Sequence, residues 1–175
     1  MIFTETKLPG VVVIELEKRE DSRGYFARAW CEKEFSAHNL PKFVQTNMSM
    51  CRQKGTVRGL HCQAAPYGEA KYMRCIRGAI FDVVVDVRPE SPTFKKWFGV
   101  ELTADNRKAI FVPEGLAHAY QALTDDAEVI YSASAFYAPG FERGIRWNDP
   151  AFNIEWPIPE AIVSDKDAKW ADFRG

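Results

Sequence analysis

A rhythm constrains this chain more than any other feature. Short runs rich in β-branched and aromatic residues recur about every ten positions, and turn residues close each one. The clearest run is Ala79 to Arg88. At a period of two, Phe81, Val83, Val85 and Val87 fall on one face, and Asp82, Val84 and Asp86 on the other. Val11 to Ile14, Tyr72 to Ile76, Trp97 to Leu102, Ala109 to Val112, His118 to Leu123 and Glu128 to Ala133 read the same way. Pro113-Glu114-Gly115 and Thr124-Asp125-Asp126 supply turns, and Arg77-Gly78 predicts a hairpin joining the strand before it to the strand after. Helix is scarce. Glu32 to His38 suits a short one, ended by Asn39-Leu40-Pro41, and Glu160 to Ile162 and Lys166 to Trp170 suit a turn or two each. The pattern predicts an all-β chain: an antiparallel β-sandwich or barrel, a jelly roll or relative of one, with a few short helices and room inside for a small ligand.

Nothing in the composition divides residues 1–175, so a single domain is expected, long enough to bury a real core. The formal net charge of −1 gives no global field toward nucleic acid or an anionic membrane, and neither is expected as a partner. The longest apolar runs, Val11 to Ile14 and Val83 to Val85, are far too short to span a bilayer. Cys31, Cys51, Cys62 and Cys75 show no C-x-x-C spacing and read as reduced thiols. With an N-terminus that lacks a basic and an apolar leader region, they point to a cytoplasmic protein.

The chemistry-bearing residues lie in islands. Arg58-Gly59-Leu60-His61-Cys62-Gln63 comes first, followed by Lys71, Gly115-Leu116-Ala117-His118, and Ser164-Asp165-Lys166-Asp167. Two of the three histidines fall in these islands; the third, His38, sits in the polar helical stretch. A histidine, a lysine, a second histidine and a late aspartate suit proton abstraction beside a carbonyl, where a base, its orienter and an enolate stabiliser must converge. Lys71 shares a face with Met73 and Cys75. An ammonium there is costly to bury alone, so it belongs at a rim or in a site. Gln45, Asn47 and Ser49 share a face opposite Val44, Met48 and Met50, and that polar face is either solvated or the lining of a pocket. Arg23-Gly24-Tyr25-Phe26, after Glu20-Asp21-Ser22, reads as a turn feeding a strand, or as an arginine beside aromatics suited to phosphate and a base.

No metal is expected, because His61-Cys62-Gln63 lacks a second histidine two positions on and His118 alone does not complete a ligand set. Nucleophile-elbow, phosphate-loop and dinucleotide fingerprints are missing as well, and no cofactor is expected.

Several motifs follow one another along the chain: Asp21-Ser22-Arg23-Gly24-Tyr25-Phe26, Phe43-Val44-Gln45-Thr46-Asn47, Val57-Arg58-Gly59-Leu60-His61, Arg77-Gly78-Ala79-Ile80-Phe81-Asp82-Val83, Val112-Pro113-Glu114-Gly115, Trp147-Asn148-Asp149-Pro150 and Ser164-Asp165-Lys166-Asp167. Their order and spacing resemble the dTDP-4-dehydrorhamnose 3,5-epimerase family of cupin-like sugar-nucleotide epimerases. The resemblance implies a cupin-like jelly roll, a homodimer with an exchanged N-terminal strand, and a nucleotide-linked 4-keto-6-deoxyhexose as substrate. By the same resemblance His61 is the base, Asp167 its orienter and Tyr131 the acid on the opposite face of the sugar, while Lys71 lines the pocket near the sugar, where a cation suits stabilisation of the enolate oxygen. His118 lines the pocket; Arg23, Gln45, Asn47, Arg58 and Lys166 bind nucleotide, phosphates or sugar; Phe26 and Tyr137 hold the base.

The chain departs from the family pattern at Cys62, where tyrosine is frequent, at Met48, where histidine is frequent, and at Arg28, where an acid is frequent. These positions concern the nucleotide and sugar and leave the proton chemistry intact. Four other readings share the fold: a single-carbon epimerase on a non-dTDP sugar nucleotide, a keto-isomerase, a metal-dependent cupin enzyme, and a non-catalytic sugar-nucleotide binder.

Overall fold

Thirteen strands and two short helices order the chain, of which the computed structural model describes residues 1–174. The first half contains β1 (Ile2–Glu5), β2 (Val12–Glu15), β3 (Arg19–Asp21), β4 (Gly24–Phe26), α1 (Glu32–Ala37), β5 (Gln45–Cys51), β6 (Val57–Gln63) and β7 (Lys71–Arg77). The second contains β8 (Ala79–Asp86), β9 (Trp97–Thr103), β10 (Ala109–Val112), β11 (Leu116–Ala122), β12 (Ala127–Ala133), β13 (Glu142–Gly144) and α2 (Asp165–Ala168). A six-stranded sheet runs β1-β2-β10-β7-β12-β5, a five-stranded sheet runs β13-β6-β11-β8-β9, and β3-β4 form a separate hairpin. All strand pairs are antiparallel, as the rhythm of short strands predicts.

The apolar pattern explains the layers. Val84 and Ile80 of β8 and Leu102 of β9 meet Met73 and Cys75 of β7, Ile110 of β10 and Val129 of β12 between the sheets. Val83 and Val85 point the other way, where Ile145, Phe152, Trp156 and Phe173 of the C-terminal segment cover the five-stranded sheet. On the outer face of the six-stranded sheet, Ile14, Tyr72 and Phe111 pack against Phe35 of α1. β8 is therefore buried on both faces, which is why its sequence reads as a nearly unbroken apolar run. Each valine fully removed from water there contributes roughly 1.5–3 kcal/mol.

Two local expectations are corrected. Arg77-Gly78 is not a hairpin turn. β7 pairs with β10 and β12, and β8 with β11 and β9, so the chain crosses from one sheet to the other at Gly78. Gly78 makes the crossing at φ +70°, where a Cβ would sit 2.2 Å from the Thr124 hydroxyl oxygen. Glu160 to Ile162 is not helical either; Ile162 forms an isolated parallel bridge with Thr56. α1 forms where the sequence places it, and Asn39, at φ +57°, closes it. β1, which the resemblance makes an exchanged strand, pairs here with β2 of its own chain.

Candidate active site

β6 and β11 lie side by side in the five-stranded sheet with His61 directly opposite His118. β7, β12 and β5 face them from the other sheet, with Tyr131 opposite Met73 on one side and Asn47 on the other. Between the sheets opens a cavity of about 550 Å³, lined by Arg58, His61, Lys71, His118, Tyr131, Lys166 and Asp167 among others. A second chamber of about 280 Å³ shares His61, Lys71 and Tyr131 and adds Gln45, Asn47 and Tyr137. Gln45, Asn47 and Ser49 thus turn inward, and the exposed face of β5 carries Met48 and Met50 instead, with Val44 exposed just before the strand. Of the two readings of that strand, pocket lining is the one realised.

His61 is fixed from outside its own sheet. Ser164 caps α2 by accepting the Asp167 backbone N–H at 3.1 Å, and this sets the helix turn that carries Asp167. The Asp167 carboxylate lies 2.6 Å from Nε2 of His61, with the aspartate side chain 6% exposed and the imidazole 26%. One ring nitrogen is therefore engaged by a buried carboxylate, and the other is left to exchange a proton. A second pair stands next to it: Nε2 of His118 is 2.9 Å from both carboxylate oxygens of Asp82, and both residues are buried.

On the facing sheet the Lys71 ammonium is 3.0 Å from a carboxylate oxygen of Glu69. Arg58 donates from Nη2 to the Met50 carbonyl at 3.0 Å, and Lys166 is bonded to Glu142 at the rim. Burial pushes the Cys62 thiol up, against the pull of Lys71 and Arg143, so a neutral thiol lies beside His61. Burial, together with the neighbouring Cys51, also pushes the Tyr120 phenol up; its hydroxyl donates to Ser49.

Ten of the twelve residues expected from the sequence line these chambers. Arg23 and Phe26 do not. They sit on the β3-β4 hairpin, where Arg23 is ion-paired to Asp21 at 2.7 Å and Phe26 is 66% exposed. The sequence reading passed over Glu69, Asp82 and Glu142. Asp82 left a signal, an acid on the inner face of an apolar strand, but its partner lies 36 residues away. Among the described residues, no group of three His, Cys, Asp or Glu side chains is arranged to hold a metal ion.

The family model for dTDP-4-dehydrorhamnose 3,5-epimerase matches residues 5–175. The chain belongs to this family. It is similar to the dTDP-4-dehydrorhamnose 3,5-epimerase of Shigella flexneri, at 43% identity over 99% of this chain and 96% of the relative. The crystal structure of the Elizabethkingia anophelis dTDP-4-dehydrorhamnose 3,5-epimerase superposes with a TM-score of 0.95 at 38% identity, covering 99% of this chain and 96% of that one. That of the Bacillus anthracis epimerase, with TDP and PPi bound, gives 0.94 at 36% identity over 98% and 99%. The family is an isomerase family with a cupin-like fold, and the two-sheet sandwich described above is that fold.

Proposed function

We propose that the protein inverts carbons 3 and 5 of a dTDP-linked 4-keto-6-deoxyhexose, in the deoxysugar branch that leads to dTDP-rhamnose. One observation carries the reading: His61 and Tyr131 line the same cavity from facing sheets. A sugar ring held between the sheets meets a base on one side and an acid on the other, as inversion of a carbon demands.

Carbons 3 and 5 both adjoin the carbonyl at carbon 4, so a single oxyanion position serves both. His61 takes the proton, and the electron pair left behind moves into the carbonyl to form an enolate. Asp167 holds the ring and balances the imidazolium. Lys71 faces the developing charge at the carbon 4 oxygen. One preorganised donor of this kind contributes about 3 kcal/mol. Tyr131 then delivers a proton to the opposite face, and water resets both groups. Positioned acid–base chemistry adds roughly 10²–10⁴-fold. Electrons and protons balance without a cofactor.

Arg58, His118, Gln45, Asn47, Lys166 and Tyr137 are assigned to substrate binding. Arg23 and Phe26 keep their nucleotide role only if the hairpin reaches a second subunit's cleft, which supports a homodimer of single-domain chains. No helix among the described residues is long and apolar enough to cross a membrane, and the four cysteines are free, in keeping with a cytoplasmic location.

The test is solvent deuterium wash-in at carbons 3 and 5, run on dTDP-, CDP- and GDP-linked 4-keto sugars. Wild-type protein is expected to label the dTDP sugar, and His61→Asn to abolish labelling while leaving dTDP affinity near wild type. Labelling by His61→Asn at the wild-type rate sinks the assignment of the base.

A further inference from the structure

The epimerase reading gives Lys71 a role but does not say what keeps its ammonium in place. A lysine side chain carries about 2 kcal/mol of rotamer entropy, and a flexible cation is a poor preorganised donor. Glu69 supplies the missing constraint. It lies just before β7, where the backbone is pinned on both sides of Ala70: the Ala70 N–H donates to the Ser134 hydroxyl at 2.8 Å, and the Ser134 N–H donates to the Ala70 carbonyl at 2.9 Å. Lys71 then enters the sheet between Val112 and Ala133. From this fixed stem the Glu69 carboxylate meets the ammonium at 3.0 Å inside the second chamber. The two side chains are 12% and 16% exposed, so this is not a solvated surface pair that contributes little.

We infer that Glu69 is a positioning residue for the reaction: it holds the Lys71 ammonium at the site where the enolate oxygen forms. This rests on the epimerase reading and extends it to a residue whose own chemistry is not consumed. A carboxylate beside a catalytic cation weakens the cation's pull on an approaching anion, so the arrangement helps only through geometry. The benefit of geometry is large: misplacing a reacting group by about 1 Å costs on the order of 10²-fold in rate.

The experiment is a double-mutant cycle on deuterium wash-in, using Glu69→Gln, Lys71→Met and the double variant, with dTDP binding and thermal stability measured on each sample. Glu69→Gln nearly preserves shape and removes only the charge. It is expected to lower kcat by roughly 10–10²-fold, with KM, dTDP affinity and Tm close to wild type. In the Lys71→Met background the same change is expected to do nothing further, because the group it positions is gone. Three outcomes overturn the inference: unchanged kcat in Glu69→Gln, a rise in KM at constant kcat (the mark of a direct contact with a sugar hydroxyl), or an equal loss in both backgrounds. Wild-type protein that fails to exchange at all fails the epimerase reading instead, so the two failures are distinguishable.

Discussion

In the proposed mechanism His61 acts as base only while Asp167 holds one ring nitrogen, and Tyr131 acts as acid only if it faces the opposite side of the sugar. These are separable demands. Deprotonation needs the base and the enolate stabiliser, whereas inversion needs a donor from the other sheet as well. Tyr131→Phe is therefore expected to keep wash-in on the original face and to lower net epimerisation by roughly 10²–10⁴-fold. If Tyr131 only filled space between β5 and β7, exchange and inversion would fall together with thermal stability. Measuring both rates on one well-folded sample decides the matter, and parallel loss sinks the acid role. The candidates at this scale were legible because His61 and Asp167 sit in motifs whose order matches a family, and because Lys71 is a cation on the same face as Met73 and Cys75. Glu69 was passed over although it stands two positions from Lys71: it lies in the loop before β7, and only the fold shows the two charges sharing a mostly buried chamber.

Two elements hold His61 and Asp167 together, and one small residue lets them meet. Gly144 of β13 stands opposite His61 in register, and a Cβ there would lie 2.0 Å from the Trp170 ring. Trp170 follows the helix that bears Asp167. Gly144→Ala is thus expected to push the C-terminal segment off β13, costing about 1–3 kcal/mol in stability from overpacking. A shift of about 1 Å in Asp167 would lower wash-in by on the order of 10²-fold. Denaturation and exchange measured together test this; wild-type exchange in the variant means that Trp170 does not set the position of Asp167.

A second element-scale device closes the end of β8. Burial alone would push the Asp86 carboxyl up, but it accepts from the Arg88 guanidinium at 2.7 and 2.9 Å and from the Ser91 and Thr93 hydroxyls at 2.6 Å. These donors outweigh the burial and hold the carboxyl well below the usual carboxylate range. A carboxylate so depressed contributes stability that is present above its unfolded value near ~3.9 and is lost as pH falls toward the folded value. Asp86→Asn should cost about 2–3 kcal/mol at neutral pH, and its stability should fall less steeply than wild type below pH ~4. Denaturant midpoints at pH 7 and at pH 3 check this, and identical acid slopes in the two proteins overturn it.

At this scale the sequence was a good guide to which residues form strands and a poor guide to which strands pair. Arg77-Gly78 has the chemistry of a tight turn whether the next strand folds back beside the last or crosses to the opposite sheet. What selects the crossing is the burial of both faces of β8, which is settled by residues far along the chain, such as Ile145 and Phe152.

At the scale of the whole molecule, an apolar surface lies on an open sheet edge. β5 ends the six-stranded sheet, and its outer face leaves Met48 61% and Met50 40% exposed, with Val44 just before it 47% exposed. A monomer would carry there an edge strand both unpaired and hydrophobic, which soluble proteins avoid. The β3-β4 hairpin poses the complementary problem, since Arg23 and Phe26 stand outside their own chain's cleft. A homodimer in which β5 is covered and each hairpin serves the other cleft resolves both. Met48→Asp sets a charge on that face without touching the cavity lining, so each chain should still fold. Sedimentation should show wild type at twice the chain mass and Met48→Asp at the mass of one chain, with its affinity for dTDP-linked sugar lowered at least tenfold by loss of the nucleotide contacts. A dimeric Met48→Asp protein would remove β5 from the interface. A monomeric one that binds and turns over substrate as wild type does would mean that a single chain's cleft is complete, and that Arg23 and Phe26 have no part in holding the nucleotide.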